Sequence, residues 1–348
     1  MKTVLVCAVQ APFVKGGAEI LVGELTEQLA RRGFRVDMVN VPFKWYPVSE
    51  ITRQSLAWRL LDLTESNGEK VDLVIPTKFP SYLVRHPRKV AWLFHQHREA
   101  YDLFGTEYCS FTDSTEDRQV LETIHALDQS SLSECRAIYT ISKNVADRLA
   151  RFNALAGTPL YPPPRHLGRY RTECYGDFLF YAGRLDRLKR LPLLVDAMAR
   201  VRSGARLVVA GTGPLEGELK RQIERAGVAS RIEMVGFVED DELVDLYARC
   251  RATLYAPLNE DYGYVTVESL LSRKPVVTAS DSGGVLEFVE DGRSGCVATP
   301  DAEAIADAID RLWELPSGRL REMGEEGRRR VEGITWDGVI DRLTEGLE

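Results

Sequence analysis

Residues 252–280 read ATLYAPLNEDYGYVTVESLLSRKPVVTAS and contain the pattern that decides the fold. Two short apolar runs, at 252–257 and 275–280, flank the segment 263–273, in which apolar residues recur at helical spacing. A strand, a helix and a second strand in this order predict a parallel βαβ unit with a right-handed crossover. The same stretch contains Glu260 and Glu268, so it bears on function as well as on fold.

The alternation of strand and helix extends over most of the chain and favours doubly wound parallel sheets of the α/β class. Three consecutive prolines at 162–164 interrupt it, because proline continues neither a helix nor a central strand. We therefore predict two Rossmann-like domains, 1–165 and 170–330, that face each other across a cleft. The predicted strands are 4–9, 35–41, 71–77, 90–95, 137–142, 177–184, 205–211, 231–238, 252–257 and 275–280, and the predicted helices are 18–32, 51–63, 191–202, 214–226, 240–249 and 263–273.

The composition excludes several classes of protein. The chain has 348 residues, of which 44% are hydrophobic and 28% charged, the balance of a globular protein. With a net charge of −7 and no strongly basic half, it is not predicted to bind nucleic acid. No apolar run approaches the roughly 20 residues that span a bilayer, and the first apolar run is too short for a signal peptide. Six scattered cysteines without a CxxC pair predict reduced thiols and a cytoplasmic location.

A pair of glycines follows the first predicted strand, in KGGAE (15–19). Gly16 and Gly17 allow the backbone to approach a ligand closely, and the N-terminus of the next helix favours an anion. The spacing is not that of the dinucleotide fingerprint, so a redox cofactor is not predicted. A plain tight turn explains the motif equally well.

Basic residues follow the first strand of the second predicted domain, in AGRLDRLKR (182–190). Arg184 comes directly after the strand and Lys189 five residues later, at the strand end where open sheets bind ligands. A guanidinium and an ammonium that converge suit a diphosphate. A solvated basic loop is the alternative.

The sequence GTGP (211–214) follows the next strand. Gly211 and Gly213 predict a sharp turn, and Pro214 suits the first position of a helix. We expect this turn to make room for a nucleotide, although turns of this kind are common.

Two histidines follow a strand of the first domain, in WLFHQHRE (92–99). On a strand, His95 and His97 would face the same side. A metal ion would need a third ligand, which no His, Cys or carboxylate supplies at the usual spacing, so no metal site is predicted. A hydrogen bond to a sugar hydroxyl, a part in proton transfer and an ordinary interior position all remain open for them.

The two glutamates of the opening stretch admit two interpretations. They are an acid/base pair, or they accept hydrogen bonds from hydroxyl groups of a bound sugar or ribose. Gly263 lies at the predicted helix start, where free backbone N–H groups form an anion site. The order of the segments then becomes informative: a strand, E-D-Y-G, a helix with Glu268, the strand with PVV, and SGG (282–284).

In combination these motifs resemble the retaining family-4 glycosyltransferases of GT-B fold. That family has an E-x-F/Y-G-x4-E helix start, a G-x-P-V-V strand and a GG turn with a nearby glutamate. EDYGYVTVE (260–268) and SRKPVVTASDSGGVLEFVEDGRSG (272–295) match this pattern. The first-loop glycines, the G-R-L…K motif and the G-x-G-P turn match as well, so the resemblance covers essentially the whole chain.

The resemblance implies roles for individual residues. Arg184 and Lys189 would bind the donor diphosphate, Glu260 hydroxyls of the transferred sugar and Glu268 those of the ribose. His95 would lie near the sugar, and His97 and Arg98 are implied acceptor contacts. The implied catalytic residues are thus Arg184, Lys189, Glu260 and His95, and the implied donor-binding residues are Gly16, Gly17, Gly183, Gly211, Gly213, Phe237, Val238, Tyr262, Gly263, Tyr264, Val265 and Glu268.

The implied activity is the retaining, metal-independent transfer of a hexose from GDP-mannose or a UDP-sugar to an acceptor hydroxyl. No cofactor is implied, since the nucleotide sugar is a co-substrate. The acceptor would be a glycan, a lipid-linked or a small molecule, in the biosynthesis of cell-surface glycans, glycolipids or glycosylated metabolites. The alternatives are a glycoside hydrolase, which uses two carboxylates, and a non-catalytic protein that binds nucleotide sugars.

The resemblance also bears on location and on the C-terminus. A C-terminal helix at 331–348, with Trp336, is expected to return to the first domain. The helix at 52–63 has leucines beside arginines, so peripheral contact with the inner membrane face stays open for a cytoplasmic protein. The chain departs from the family pattern at Arg273, Thr212 and Asp261, and its YPPP connector (161–164) resembles mannosyl-transferring branches.

Overall fold

The computed structural model describes residues 1–12 and 16–347, which form two compact units. The first unit comprises Met1–Arg165 and Thr335–Glu348, and the second comprises His166–Ile334. Both units alternate short buried strands with helices. Along the described chain, no helix is both long and apolar enough to cross a membrane.

The first unit contains two parallel sheets of three strands, with the orders β2-β1-β5 and β6-β7-β8, and a small antiparallel hairpin of β3 and β4. A parallel bridge between Val74 and Lys89 connects the two sheets. The strands are β1 Thr3–Gln10, β2 Arg35–Pro42, β3 Glu65–Ser66, β4 Glu69–Lys70, β5 Leu73–Pro76, β6 Val90–Leu93, β7 Ala137–Thr140 and β8 Thr158–Pro159, and the helices are α1 Gly17–Arg31, α2 Ser49–Leu60, α3 Thr115–Ser133 and α4 Lys143–Asn153.

The second unit is a single parallel sheet with the strand order β11-β10-β9-β12-β13-β14. Because all neighbouring strands run parallel, the carboxyl ends of the strands lie at one edge of the sheet, which we call the second-unit carboxyl edge. The strands are β9 Phe178–Ala182, β10 Arg206–Ala210, β11 Ile232–Gly236, β12 Ala252–Leu254, β13 Val276–Ala279 and β14 Gly295–Ala298, and the helices are α5 Leu191–Arg200, α6 Glu216–Arg225, α7 Asp240–Arg249, α8 Tyr264–Leu271, α9 Ala302–Trp313 and α10 Ser317–Val331.

The C-terminal helix α11, Trp336–Leu343, packs on the first unit. The indole ring of Trp336 meets that of Trp92 edge-on, with the ring centres 6.1 Å apart. The Arg32 guanidinium adds an ion pair with Asp341 at 2.9 Å. The predicted helix at 331–348 was therefore too long, because residues up to Val331 belong to α10 of the second unit.

Several other predicted elements were incomplete or misplaced. The sequence prediction did not include α3, α9, α10 or β14. It expected one parallel sheet in the first domain, whereas the structure has two parallel sheets of three strands there. The strand predicted at 90–95 ends at Leu93, because the next residues leave β7: Phe94 N–H donates to Thr77 O at 2.7 Å, and Phe79 N–H donates to His95 O at 3.2 Å. His95 and His97 thus lie in a loop, so strand alternation does not set where their side chains point.

Candidate donor site and comparison with known proteins

The loop after β9 and the loop after β10 pack tightly against each other at the second-unit carboxyl edge. A Cβ atom on Gly211 would lie 1.9 Å from Gly183 O, and a Cβ atom on Gly213 would lie 2.5 Å from Leu185 O. Leu185 N–H also donates to Thr212 O at 3.0 Å. The space left by these two glycines is therefore filled by the neighbouring loop, and the expectation that they make room for a nucleotide needs this correction.

Lys189 ends a short 3-10 turn after β9, and its ammonium points at two acceptors. The Nζ atom donates to Glu260 Oε2 at 2.6 Å and to Tyr255 Oη at 3.2 Å. Burial lowers the pKa of Lys189, but the Glu260 carboxylate outweighs this effect, so the pKa is raised overall. Lys189 is thus a charged, largely buried cation at the carboxyl edge.

Glu260 is held in place by the glycine turn that follows β13. Its N–H donates to Ser282 O at 3.2 Å, and Gly284 N–H donates to Glu260 O at 2.8 Å. A Cβ atom on Gly284 would lie 2.6 Å from Asp261 O, so only glycine permits this approach. The motifs E-D-Y-G and SGG are far apart in sequence, and this contact joins their backbones in the fold.

The helix start after Glu260 depends on Gly263. This residue has φ of 82°, in the left-handed region, and precedes α8. Tyr262 is buried, with its ring edge-on to Phe288 at 5.8 Å and to Tyr264 at 5.1 Å. The Tyr262 ring therefore supports the loop from inside the second unit.

Glu268 lies inside α8, where a side chain of α7 reaches it. The Tyr247 hydroxyl donates to Glu268 Oε2 at 2.8 Å. Burial raises the pKa of Glu268, and the hydroxyls of Tyr247 and Tyr170 oppose the rise. One carboxylate oxygen is therefore held by a buried tyrosine, which fixes the direction of the other.

The arginines of the loop after β9 differ in their surroundings. Arg190 is held by Asp281, with contacts of 2.7 and 2.6 Å, and by the carbonyl oxygens of Ala256 and Pro257. Arg184 is exposed, and its guanidinium makes no hydrogen bond or ion pair within residues 1–12 and 16–347. Arg190 thus joins the loops of three strands, whereas Arg184 is available to a ligand.

At the end of β11, the ring of Phe237 is 72% exposed and Val238 is half-buried. An exposed aromatic ring at a strand end offers a surface on which a planar base can stack. The structure thus brings an aromatic surface, a guanidinium, an ammonium and two carboxylates to one edge of one sheet.

In the first unit, the glycine loop is already engaged by a side chain of the protein. Gly16 N–H donates to Glu19 Oε2 at 2.9 Å, and Lys78 Nζ donates to Glu19 Oε1 at 2.8 Å. Burial acts to raise the pKa of Glu19, but Lys78 and the Gly16 amide hold it below its usual value. Gly17 is the first residue of α1, and Lys15 of the same motif lies outside the described residues.

The loop after β6 contains the remaining site residues of the sequence prediction. His95 Nδ1 is 2.8 Å from Gln96 O. The His97 ring lies 5.4 Å from Phe79 and 5.9 Å from Phe111, and burial lowers its pKa to about 4, with His95 adding to the effect. His97 is therefore neutral at pH 7, and in the described part of the chain its buried Nε2 atom has no hydrogen-bond partner.

Arg98 is paired within the first unit. Its Nη2 atom lies 2.6 Å from Asp102 Oδ2, and Arg148 Nε lies 3.1 Å from Asp102 Oδ1. All three side chains are buried or nearly so. The charge of Arg98 is thus part of an internal ion-pair network.

Sequence reasoning missed Tyr255, Tyr247, Lys78 and Asp102. Tyr255 lies within the apolar run ATLYAP and directly follows β12, so a hydroxyl at a strand end was a usable signal. Each of the other three lies far in sequence from at least one group that it contacts, so no local pattern identifies that contact. Within residues 1–12 and 16–347, no three His, Cys, Asp or Glu side chains are grouped so as to hold a metal ion.

A comparison with protein families gives a match in the second unit. Residues 176–330 match the family described as "Glycosyl transferases group 1". The resemblance to group 1 glycosyltransferases is confirmed for this segment. The segment includes every residue of the second unit that the sequence analysis names as a catalytic or donor-binding residue.

Curated relatives agree with this assignment. The O-antigen chain mannosyltransferase C of Escherichia coli is 32% identical over 176 residues, which are 49% of this chain and 46% of that protein. An uncharacterized glycosyltransferase of Methanocaldococcus jannaschii is 24% identical over 97% of this chain and 96% of its own length. The match to the first of these spans less than half of the relative's length, whereas the archaeal match is essentially complete.

Among solved structures, sucrose-phosphate synthase from Thermosynechococcus elongatus superposes with a TM-score of 0.80. The superposition covers 100% of this chain and 99% of that one at 19% identity, so it concerns the fold. The predicted GT-B fold is thereby confirmed.

Proposed function

We propose that the protein is a retaining glycosyltransferase that moves a hexose from a nucleotide diphosphate sugar to an acceptor hydroxyl. The observation that carries the proposal is the Lys189–Glu260 ion pair at 2.6 Å, beside the exposed Arg184, at the end of β9. A diphosphate would give Lys189 a new anionic partner. Glu260, released from Lys189, would accept hydrogen bonds from hydroxyls of the sugar.

The proposed reaction proceeds on one face of the sugar. The bond between the anomeric carbon and the β-phosphate oxygen breaks, and its electron pair stays on that oxygen. The acceptor hydroxyl attacks the same face, and its proton passes to the departing phosphate. Lys189, Arg184 and the N–H groups at the start of α8 stabilise the negative charge that develops there.

The remaining residues have supporting roles in this proposal. Glu268, with one oxygen held by Tyr247, accepts hydrogen bonds from the ribose, and Phe237 stacks on the base. His95 lies near the sugar, while His97 and Arg98 belong to the acceptor side. Because side-chain cations neutralise the diphosphate, we propose that the reaction needs no metal ion.

For the donor we propose GDP-mannose before a UDP-sugar. The relative from Escherichia coli is named a mannosyltransferase, and the YPPP connector (161–164) resembles a segment of some mannosyl-transferring branches of the family. A panel of GDP-, UDP- and ADP-sugars in a thermal-shift assay checks this choice, because a ligand that binds only the folded state raises the melting temperature.

For the acceptor we propose a hydroxyl group of a glycan, a lipid-linked molecule or a small molecule. We also propose a cytoplasmic protein with peripheral contact at the inner face of the membrane. The supporting observation is the surface formed by α2 and the loop before it. Leu60 is 85% exposed and Tyr46 61%, and Leu56 and Trp45 are also exposed. Flotation with anionic liposomes tests this contact, and a protein that stays at the bottom of the gradient with every lipid contradicts it.

The decisive experiment is a transfer assay with the preferred donor and the variant Arg184→Ala/Lys189→Ala. We expect turnover to fall by at least about 1,000-fold, because two charge-stabilising groups are removed. Turnover within a few-fold of wild type would show that the diphosphate assignment is wrong. Unchanged activity in a chelator is expected as well, and metal-dependent activity would contradict the metal-free mechanism.

Assays of cleavage, binding and transfer distinguish two other functions from the proposed one. A glycoside hydrolase, built on Glu260 and Glu268, would cleave aryl glycosides with no nucleotide present. A non-catalytic protein would bind the nucleotide sugar but neither transfer nor slowly hydrolyse it. Efficient cleavage without a nucleotide, or binding without any turnover, would replace the glycosyltransferase assignment.

A further inference from the structure

A second pocket that suits anions lies in the first unit, away from the residues discussed so far. It is a cavity of about 190 Å³, lined among others by Arg88, Arg136, Arg342, Tyr139 and Glu345. We call it the amino-edge pocket. The motifs of the sequence do not identify it, because its arginines come from three separate parts of the chain.

The fold brings two of these arginines together before neighbouring strands. Arg88 precedes β6 and Arg136 immediately precedes β7, and the two strands pair in parallel with Val90 opposite Ala137. Arg136 N–H donates to Lys89 O at 2.8 Å, which fixes the spacing of the two segments. Arg342, at the end of α11, completes the lining.

The pocket is distinct from the histidine loop of the same unit. Arg88 comes before β6, and His95 comes after it. The four residues of β6 rise by about 3.3 Å each, so about 13 Å of strand separates the two places. A ligand of the amino-edge pocket would therefore occupy the opposite edge of this sheet.

Among the described residues that line the pocket, positive charge exceeds negative charge. They include three arginines and one carboxylate, Glu345, which lies 3.7 Å from Arg342. Within residues 1–12 and 16–347, the side chains of Arg88 and Arg136 form no hydrogen bond or ion pair. Because a guanidinium keeps its proton at neutral pH, the three arginines present a lasting positive charge to an anion.

The chemistry of the lining indicates which anion fits. Guanidinium groups bind phosphate oxygens in pairs of parallel hydrogen bonds. Burial raises the pKa of Tyr139, so its hydroxyl remains a donor at neutral pH. The cavity is smaller than the roughly 300–1,000 Å³ of a site for a drug-sized ligand, so it suits a phosphate or diphosphate group but not a whole nucleotide.

We propose that the amino-edge pocket is a second, phosphate-binding site of the first unit. It takes a free phosphate or diphosphate, or the phosphate group of a larger molecule that extends into solvent. This site is independent of the proposed glycosyltransferase activity and uses none of the residues assigned to the donor.

Calorimetric titration with phosphate, pyrophosphate and mannose 1-phosphate, at constant ionic strength adjusted with chloride, tests the proposal. The titration uses Arg184→Ala/Lys189→Ala, which lacks the two cations proposed to bind the donor diphosphate. We expect this variant to bind pyrophosphate, and the addition of Arg88→Gln/Arg136→Gln to weaken that binding at least about tenfold. The matched control is Arg53→Gln/Arg118→Gln, which changes two exposed arginines of the same unit and should bind like the wild type. The strongest of the three ligands identifies the source of the phosphate.

Three results would overturn the proposal. One is the absence of anion binding above the chloride background in the wild type. Another is undiminished binding after Arg88→Gln/Arg136→Gln is added to Arg184→Ala/Lys189→Ala, and the third is complete loss of binding by Arg184→Ala/Lys189→Ala alone, which would assign the anion to the donor site. Should the double glutamine variant fail to fold, the single variant Arg136→Glu is measured instead, and binding equal to the wild type would count against the site.

Discussion

The loop after β9 in the second unit and the loop after β6 in the first unit both follow a parallel strand and both contain cations, but they differ in their partners. In the second unit, Lys189 pairs with Glu260 across 71 residues, and Arg184 is exposed. In the first unit, Arg98 pairs with Asp102, which also holds the buried Arg148. The comparison shows that cations after parallel strands can have different surroundings: Arg184 is exposed, whereas Arg98 lies in a buried ion-pair network.

The largest expected effect concerns the network of the first unit. Asp102→Asn removes the carboxylate between Arg98 and Arg148 and leaves two guanidinium groups with little compensation. We expect the free energy of unfolding to fall by about 3–5 kcal/mol. Urea unfolding measures this change, and Asp113→Asn, which alters an exposed pair with Arg118, is the control with an expected change within about 0.5 kcal/mol. Equal small effects of both substitutions would contradict the structural role of Asp102.

The corresponding change in the second unit should act on turnover. Lys189→Ala removes the cation that the proposal assigns to the diphosphate, so we expect kcat to fall by about 100- to 1,000-fold. The control is Lys220→Ala, which alters an exposed lysine paired with Glu216 and should leave kcat unchanged. Turnover is measured with saturating donor. A loss of stability without a loss of kcat would make the two loops alike and remove the distinction drawn above.

The next prediction concerns the pH dependence of stability that the buried carboxyl group of Asp128 causes in the first unit. Burial raises the pKa of Asp128 to about 7, and Tyr101 donates a hydrogen bond to it at 2.7 Å. The folded state therefore holds this proton to a higher pH than the unfolded chain does, so the stability it contributes is complete below about pH 4 and is lost as the pH rises through about 7.

Between pH 6 and pH 8 we expect the unfolding free energy of the wild type to decrease by about 1 kcal/mol more than that of Asp128→Asn. The asparagine still accepts the hydrogen bond from Tyr101, so the comparison isolates the proton. Urea unfolding at the two pH values measures the difference. Parallel pH profiles for the two proteins would exclude Asp128 as the titrating group.

The smallest expected effect concerns Tyr255. Tyr255→Phe keeps the buried ring but removes the hydroxyl that Lys189 contacts at 3.2 Å. One hydrogen bond of this kind contributes about 1 kcal/mol, so we expect kcat to fall about fivefold with little change in the donor KM.

Tyr175→Phe is the matched control for Tyr255. It removes a hydroxyl that donates to Arg273 O at 3.1 Å, before the amino end of β9, and should leave kcat unchanged. Equal kinetics for both variants would show that the Tyr255 hydroxyl does not position Lys189.

The sequence predicted the elements between residues 177 and 280 of the second unit best, whereas it did not predict β14, α9 and α10 of the same unit. Its strands and helices are short and bounded by glycine or proline, and their apolar spacing is a local property. The prediction failed where the pattern was weaker or the boundary depended on distant contacts. The end of β6 at Leu93 is an example, because the following backbone groups bond to Thr77 and Phe79 and not to β7.

The sequence also placed Arg184, Lys189 and Glu260 at strand ends, since the order of strands and loops follows from the chain itself. The sequence did not predict which groups these residues contact. The Lys189–Glu260 pair, the approach of Gly284 to Asp261 and the burial of Tyr262 all depend on how loops far apart in sequence meet. The glycines at 211 and 213 show the same limit, because the sequence indicated a turn but not the loop that fills the space beside it.

By itself the sequence determined the α/β class, the break at the three prolines and the resemblance that the family match confirms for residues 176–330. Only the tertiary structure decided which charged side chains are exposed and which form ion pairs inside a unit. It also brought three arginines together in the amino-edge pocket. The physical reason is the sequence separation over which each kind of interaction acts. Apolar periodicity acts over a few residues, whereas an ion pair or a shared pocket is set by the distance between side chains that the fold brings together.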